Sequence, residues 1–498
     1  MKVRQIAHKM AAGFIGLMFF TFASTAMHAA CHAVSPTGSG TKSGADWNNA
    51  MAGWPSSPIR GDAYYLAAGS YPQKSYGAVS PSKGGARITF LKARDTGDHG
   101  QNCSPSIAAG WTSAMGAQTV IGGMFEVNDD NWTLDGQDNG GQAIDSGSSY
   151  GIYINGTNCS GGSGQSCYNV SINQGSNITV RYVYIQGSSP SANNSSCNSN
   201  QSCNTDDNIR FVSWGGSGTS CDNITIQHVF VYNSSHNDIT SGGCANVLIE
   251  NSEFYINAAG SYFHGQSFNI VDGGNDNWIV RNNVFRDITG TAVIVNLASS
   301  GGTNTGIDIY GNVFFADSSW SPVGAPCENG IYACINNITC NDLHFYNNSI
   351  INYKNGAFAC GVSYLNTAGV QSGHSAIVEN NLWYGTPTAG IGLQGSGTKT
   401  QDHNSFLNSG SGNSGTANVI NQSASCPLGN CSIWSGLTQF IPLVDNTTIN
   451  NGVALSAPYN VDAAGVTRNA SDWTRGAFQF PGSSVVVNPP TSLQVVIK

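Results

Sequence analysis

The chain has 498 residues, of which only 9% are charged, and 62 are glycine; ordinary soluble domains carry roughly a quarter charged residues. Its formal charge is −9, and removal of Lys2, Arg4 and Lys9 with a leader takes 19 basic residues to 16 against 28 acidic ones, a net of −12 that makes nucleic acid a poor partner. After the first thirty residues no apolar run reaches the ~18 to 20 residues of a membrane-spanning helix, so no transmembrane segment is expected in the mature chain.

Residues 1–30 place those three basic residues before the apolar run AAGFIGLMFFTFA and a small-residue stretch, the order of a secretory signal peptide. The mature protein is therefore expected to be secreted or held at the cell surface, extracellular or periplasmic. Residues 31–125 read as an N-terminal cap and first coils: a short helix in ADWNNAMAGW, then the β runs DAYYLAAGSY and ARITFLKA. Residues 126–480 read as the body of the fold, and 481–498 as a flexible C-terminal tail.

The body repeats. With Asn283 as anchor, one frame recurs at Ser252, Asn312, Asn348 and Asn381. Five residues before each anchor stand Val247, Trp278, Ile307, Leu343 and Ala376; three before stand Ile249, Val280, Ile309, Phe345 and Val378. Two after stand Phe254, Phe285, Phe314, Ile350 and Trp383. The interval of two is strand periodicity, and the frame shift at the anchor marks a corner where an asparagine tolerates the left-handed region. A repeat this short buries an apolar face only by stacking on its copies at strand spacing. The expected fold is all-β, a right-handed parallel β-helix with a short N-terminal helical cap, in a monomer. An antiparallel sandwich suits the composition but has no reason to repeat its corner.

Fourteen cysteines in an exported chain read as disulfides. Sequential pairing gives Cys31–Cys103, Cys159–Cys167, Cys197–Cys203, Cys221–Cys244, Cys327–Cys334, Cys340–Cys360 and Cys426–Cys431. Asn-x-Ser/Thr sequons such as Asn155, Asn177 and Asn223 follow from the turn-rich composition.

The opening DWNNAMAG and RGDAYYLAAGSY, the run ARITFLKARDTGDHG, the NNVF-type corners and the ending VDAAGVTRNASDWTRGAFQF together resemble the secreted pectate-lyase-like right-handed parallel β-helix superfamily. That resemblance spans nearly all of the mature chain. It implies fold and export, and it spans polysaccharide lyases, glycoside hydrolases and non-catalytic adhesins.

Ionisable residues concentrate in three successive coils: TDDNIRFVS, SHNDITSGG and HGQSFNIVDGG. Aligning Ile209, Ile239 and Phe268 as inward residues sets Asn208, Asp238 and Ser267 in an outward column, with Arg210, Thr240 and Asn269 beside it. The expected catalytic residues are Arg210, His236, Asp238 and His264, in one solvent-facing groove; Asp207, Gln266, Asn269 and Asp272 are expected to bind substrate. Such a set can neutralise a uronate carboxylate and move a proton, so lyase-type cleavage of an acidic polysaccharide is expected. Members of the superfamily often use Lys or Arg as base with acidic residues on calcium; here Asp207 and Asp238 are the acids that could hold Ca2+, and no other cofactor is implied. The alternatives are a glycoside hydrolase, whose paired carboxylates would be Asp207 and Asp238 on neighbouring coils, and glycan binding without catalysis through Trp214, Trp320 and Tyr262.

Overall fold

The computed structural model describes residues 30–82, 84–137, 150–156, 167–187, 206–212, 221–234, 236–257, 266–271, 273–288, 290–296, 302–320, 330–334, 339–353, 365–386, 391–409, 415, 417–443, 449–469 and 471–481. The expected signal peptide and C-terminal tail therefore lie outside the described residues, apart from Ala30 and Pro481.

From Trp132 to Gly395 each coil contributes a strand to each of three walls, and every named strand pairing is parallel. The first wall is a thirteen-stranded sheet that starts at Met51–Ala52 and Cys31–Ser35 and ends at Thr398–Asp402. The other two walls separate at the long strand Thr119–Val127, whose first half pairs with Ile152–Asn155 and whose second half pairs with Cys167–Asn173. From there the second wall climbs to Val419–Asn421 and the third to Ile391–Gly395. The chain is a parallel β-helix.

The columns read from the sequence stack in register. Val247, Trp278, Ile307, Leu343 and Ala376 are consecutive partners in the first wall. In the second wall Phe254, Phe285, Phe314, Ile350 and Trp383 are partners in the same way, each with no exposed surface. Phe285 and Phe314 stack at 4.7 Å between ring centroids, so identical residues on successive rungs meet face to face. One apolar core runs from Val34 to Phe406.

The repeated corner works differently from the sequence expectation. The left-handed residue is the one before each anchor: Asn251, Asn282, Gly311, Asn347 and Asn380, with φ from 51° to 66°. The anchor asparagine turns inward and is buried. There its amide oxygen accepts the backbone N–H of the anchor one coil earlier, at 2.9 Å for Asn283 onto Asn312, 3.0 Å for Asn312 onto Asn348 and 2.9 Å for Asn348 onto Asn381. Turning the corner removes these N–H groups from the sheet pattern, and a buried amide needs an acceptor from somewhere; a stacked asparagine supplies one on every rung.

The helix expected in ADWNNAMAGW is a single 3-10 turn, Trp47–Asn49, with the Asp46 side chain accepting from Asn49 N. Ala50 returns at once to extended backbone, and Gly53 and Pro55 leave no room for further turns. Among the described residues there is no α-helix.

A second apolar cluster lies on the outside of the second wall. Val284, Val313, Phe315, Ile351, Leu382 and Leu407 alternate along their strands with the core residues, and Leu428, Phe440, Ile449 and Phe478 of the C-terminal segment cover them. Arg286 fastens this wrap: it pairs with buried Glu253 at 2.7 Å, and its guanidinium lies 3.4 Å from the Tyr255 ring centroid and 4.4 Å from that of Trp434.

Four disulfides are described: Cys31–Cys103, Cys221–Cys244, Cys334–Cys340 and Cys426–Cys431. Cys221 and Cys244 are register partners on adjacent coils, 4.6 Å apart between Cα atoms, as expected of a solenoid. Cys334–Cys340 replaces the expected Cys327–Cys334 and Cys340–Cys360, because Cys334 ends a third-wall strand and Cys340 opens the next first-wall strand, one corner away. Cys327 and Cys360 lie outside the described residues, as do Cys159, Cys197 and Cys203.

Candidate active site on the third wall

Strands Cys167–Asn173, Asp206–Val212, Asn237–Gly242 and Phe268–Val271 run side by side in the third wall. Ile209, Ile239 and Phe268 are register partners with no exposed surface, so the alignment read from the sequence holds. What fails is strict alternation before that column. The chain turns from the second wall to the third there, and the corner residues Asn208, Asp238 and Ser267, expected to face outward, are fully buried.

Asp207 and Asn237 are paired across the two coils, and His236 joins them: His236 Nδ1 lies 2.8 Å from Asp207 Oδ1, and Asn237 Nδ2 donates to the same oxygen at 2.9 Å. The His236 side chain is 18% exposed and that of Asp207 9%, so the carboxylate is the inner member and the imidazole the outer one. A carboxylate behind an imidazole fixes the orientation of the ring. Arg210 lies between Ser171 and Thr240 in register and sits 4.2 Å from the ring centroid of Tyr168, which is the partner of Asp207 on the preceding coil. Cation–π contact helps to hold the guanidinium in place. Beyond Ser171, Glu126 accepts from Asn173 Nδ2 at 2.6 Å and from Ser171 Oγ at 3.3 Å, which extends the polar strip to the coil before.

Of the expected site, His236 and Asp207 are in contact, Arg210 stands beside Thr240 and stacks on Tyr168, and Asn269 stands beside Thr240 on the next strand. Asp238 and Gln266 do not enter a solvent-facing groove, being 0% and 2% exposed. His264 and Asp272 lie outside the described residues, as do Trp214 and Tyr262; Trp320 is described, but in the turn after the second-wall strand Val313–Phe315. Asn237, Tyr168 and Glu126 had not been singled out from the sequence. Asn237 could have been, since it adjoins His236 and aligns with Asp207.

Asp238 is an interior acid. The hydroxyls of Ser234 and Ser267 each donate to it at 2.6 Å, one to each carboxylate oxygen. Burial nonetheless pushes its carboxyl up to about 7, the charge of Asp207 adding to the rise and the two hydroxyls opposing it. A carboxyl raised in the folded state binds a proton that the unfolded chain has released. Its contribution to stability is therefore complete below about pH 4 and is lost as pH climbs through about 7. Holding the carboxyl at about 7 in place of 3.8 corresponds to roughly 4 kcal/mol at most. Asp238→Asn keeps the shape without the charge, so its unfolding midpoint should fall less than that of the parent between pH 5 and pH 8. An equal fall in both would show that Asp238 does not titrate in this range.

The same contacts bear on calcium. Asp238 has both oxygens engaged inside the wall, Asp207 is paired with His236 and Asn237, and among the described residues no group of three or more His, Cys, Asp or Glu is placed to hold a metal ion. Asp238 offers neither oxygen to solvent, so it makes no open pair of carboxylates with Asp207.

No family model matches the chain, and no curated protein matches it. Solved structures do. A pectate lyase, Pel9A, aligns with 90% of this chain and 96% of its own at 13% identity and a TM-score of 0.45. A mannuronic-acid-specific polysaccharide lyase of family 6 from human gut microbiota aligns over 78% of this chain and 82% of its own, at 12% identity and a TM-score of 0.36. A GH136 lacto-N-biosidase from Eubacterium ramulus aligns over 79% and 68%, at 11% identity and a TM-score of 0.31. The likeness is one of architecture, and the three walls of this chain establish that architecture by themselves.

Proposed function

We propose that the chain is an exported enzyme that cleaves an acidic, uronate-containing polysaccharide by lyase-type acid/base chemistry. The observation that carries this reading is the His236–Asp207 pair beside Arg210 on one wall. Arg210 meets the uronate carboxylate and withdraws charge from it, which makes the hydrogen on the adjacent ring carbon more acidic. His236 takes that proton. The electron pair left on carbon forms the new C4=C5 double bond, and the glycosidic oxygen leaves from C4 with its bonding electrons and is protonated by water. Asp207 stabilises the imidazolium formed on the way. Four disulfides favour an oxidising compartment, and among the described residues no helix is long and apolar enough to cross a membrane.

The test is incubation with a panel of polysaccharides, followed by ultraviolet absorbance for unsaturated uronate and by an assay for reducing ends. Unsaturated product from a uronate polymer is expected. Reducing ends without unsaturation would mean hydrolysis, and neither product with retained glycan binding would mean a binding protein; both outcomes overturn the proposal.

A further inference from the structure

We infer that Asn237 is a positioning residue that fixes His236 as the tautomer with hydrogen on Nδ1, leaving Nε2 as the proton acceptor. The mechanistic value of this rests on the reading of His236 as the base; the tautomer itself does not.

A count of hydrogens decides the tautomer. The amide nitrogen of Asn237 carries two. One points to Asp207 Oδ1 at 2.9 Å and the other to Thr240 Oγ1 at 3.1 Å. With both engaged, the 2.8 Å approach of Asn237 Nδ2 to His236 Nδ1 receives no hydrogen from the amide. The hydrogen between His236 Nδ1 and Asp207 Oδ1, 2.8 Å apart, must then come from the ring. Turning the amide over would set Asn237 Oδ1 against the Asp207 carboxylate, two acceptors facing each other. The observed orientation avoids this even though it leaves Oδ1 buried without a partner. Asn237 is 0% exposed, so it acts through Asp207 and His236 and does not touch substrate. Thr240 completes the arrangement: without its hydroxyl, the second amide hydrogen is released to Nδ1, and the ring can take the opposite tautomer.

The experiment is nitrogen NMR of the full chain labelled in histidine, at a pH where the ring is neutral, with His236 assigned by the signal lost in His236→Gln. The parent should show hydrogen on Nδ1. Asn237→Leu should give a mixture of tautomers and lower kcat at least tenfold with little change in KM on the polymer that the panel identifies. Thr240→Val, which leaves Asn237 in place, serves where Asn237→Leu does not fold, and should give a measurable population with hydrogen on Nε2. A parent ring with hydrogen on Nε2, or a tautomer unmoved by both substitutions, overturns the inference. Full activity in His236→Gln would instead sink the catalytic reading and leave the tautomer result standing.

Discussion

Replacing His236 by alanine should lower kcat by about 10²- to 10⁴-fold on the polysaccharide that the panel identifies, the span that a positioned general base contributes. KM should change little, because Arg210 and the polar strip through Ser171 to Glu126 remain in place to hold the polymer. The fold should persist as well, since the His236 side chain is outside the core and the Asp207 oxygen it meets keeps Asn237 as donor. Kinetics on the purified variant, with circular dichroism to confirm the β-helix, check this. A variant within threefold of the parent would remove His236 from the chemistry.

The second large effect is on stability. Asn312→Ala should cost roughly 3 to 5 kcal/mol, because one side chain satisfies groups on both neighbouring coils and each buried polar group left unpaired costs about 1 to 3 kcal/mol. Asn312 Oδ1 accepts from Asn283 N at 2.9 Å, while Nδ2 donates to Val280 O at 2.9 Å and to Asn348 Oδ1 at 3.0 Å. Asn282→Ala, at the left-handed residue beside Asn283, should cost only about 1 to 2 kcal/mol, the penalty of a left-handed alanine. Denaturant unfolding compares the two, and amide hydrogen exchange at Asn283 shows whether its N–H has lost protection. Equal costs would mean that the buried asparagine ladder adds nothing beyond the turn.

The fold was legible because a solenoid writes its contacts into the spacing of the sequence. Phe254, Phe285 and Phe314 could be stacked from their offsets alone, and the expected parallel β-helix is the fold found. The division of labour within the Asn-Asn pair was not legible: either asparagine suits a corner, and only the backbone shows that Asn282 takes the left-handed conformation while Asn283 turns inward. The site was legible to the same depth. Registering Ile209 on Ile239 set Asp207 beside Asn237 and Arg210 beside Thr240, but counting alternate residues back from Ile239 gave Asp238 the wrong side, since the corner between two walls breaks the alternation. The pairing of Cys334 with Cys340 escaped for a similar reason: sequential order carries no information about which cysteine ends one wall and which opens the next.

The wrap over the second wall also sets an order of events. Val284, Val313, Phe315, Ile351, Leu382 and Leu407 face outward as soon as their coils form, whereas Phe440 and Phe478, which cover them, come later in the chain. During synthesis the rising helix therefore carries a long sticky stripe with nothing on it, and two such chains meeting at this stage would bury their stripes against each other. Arg286, held by Glu253 on that same surface, places one charge at the margin of the stripe before Trp434 arrives to cover it. The window of vulnerability closes last, with the final stretch of chain, so shortening the protein from that end exposes the stripe permanently even though every coil beneath it is intact.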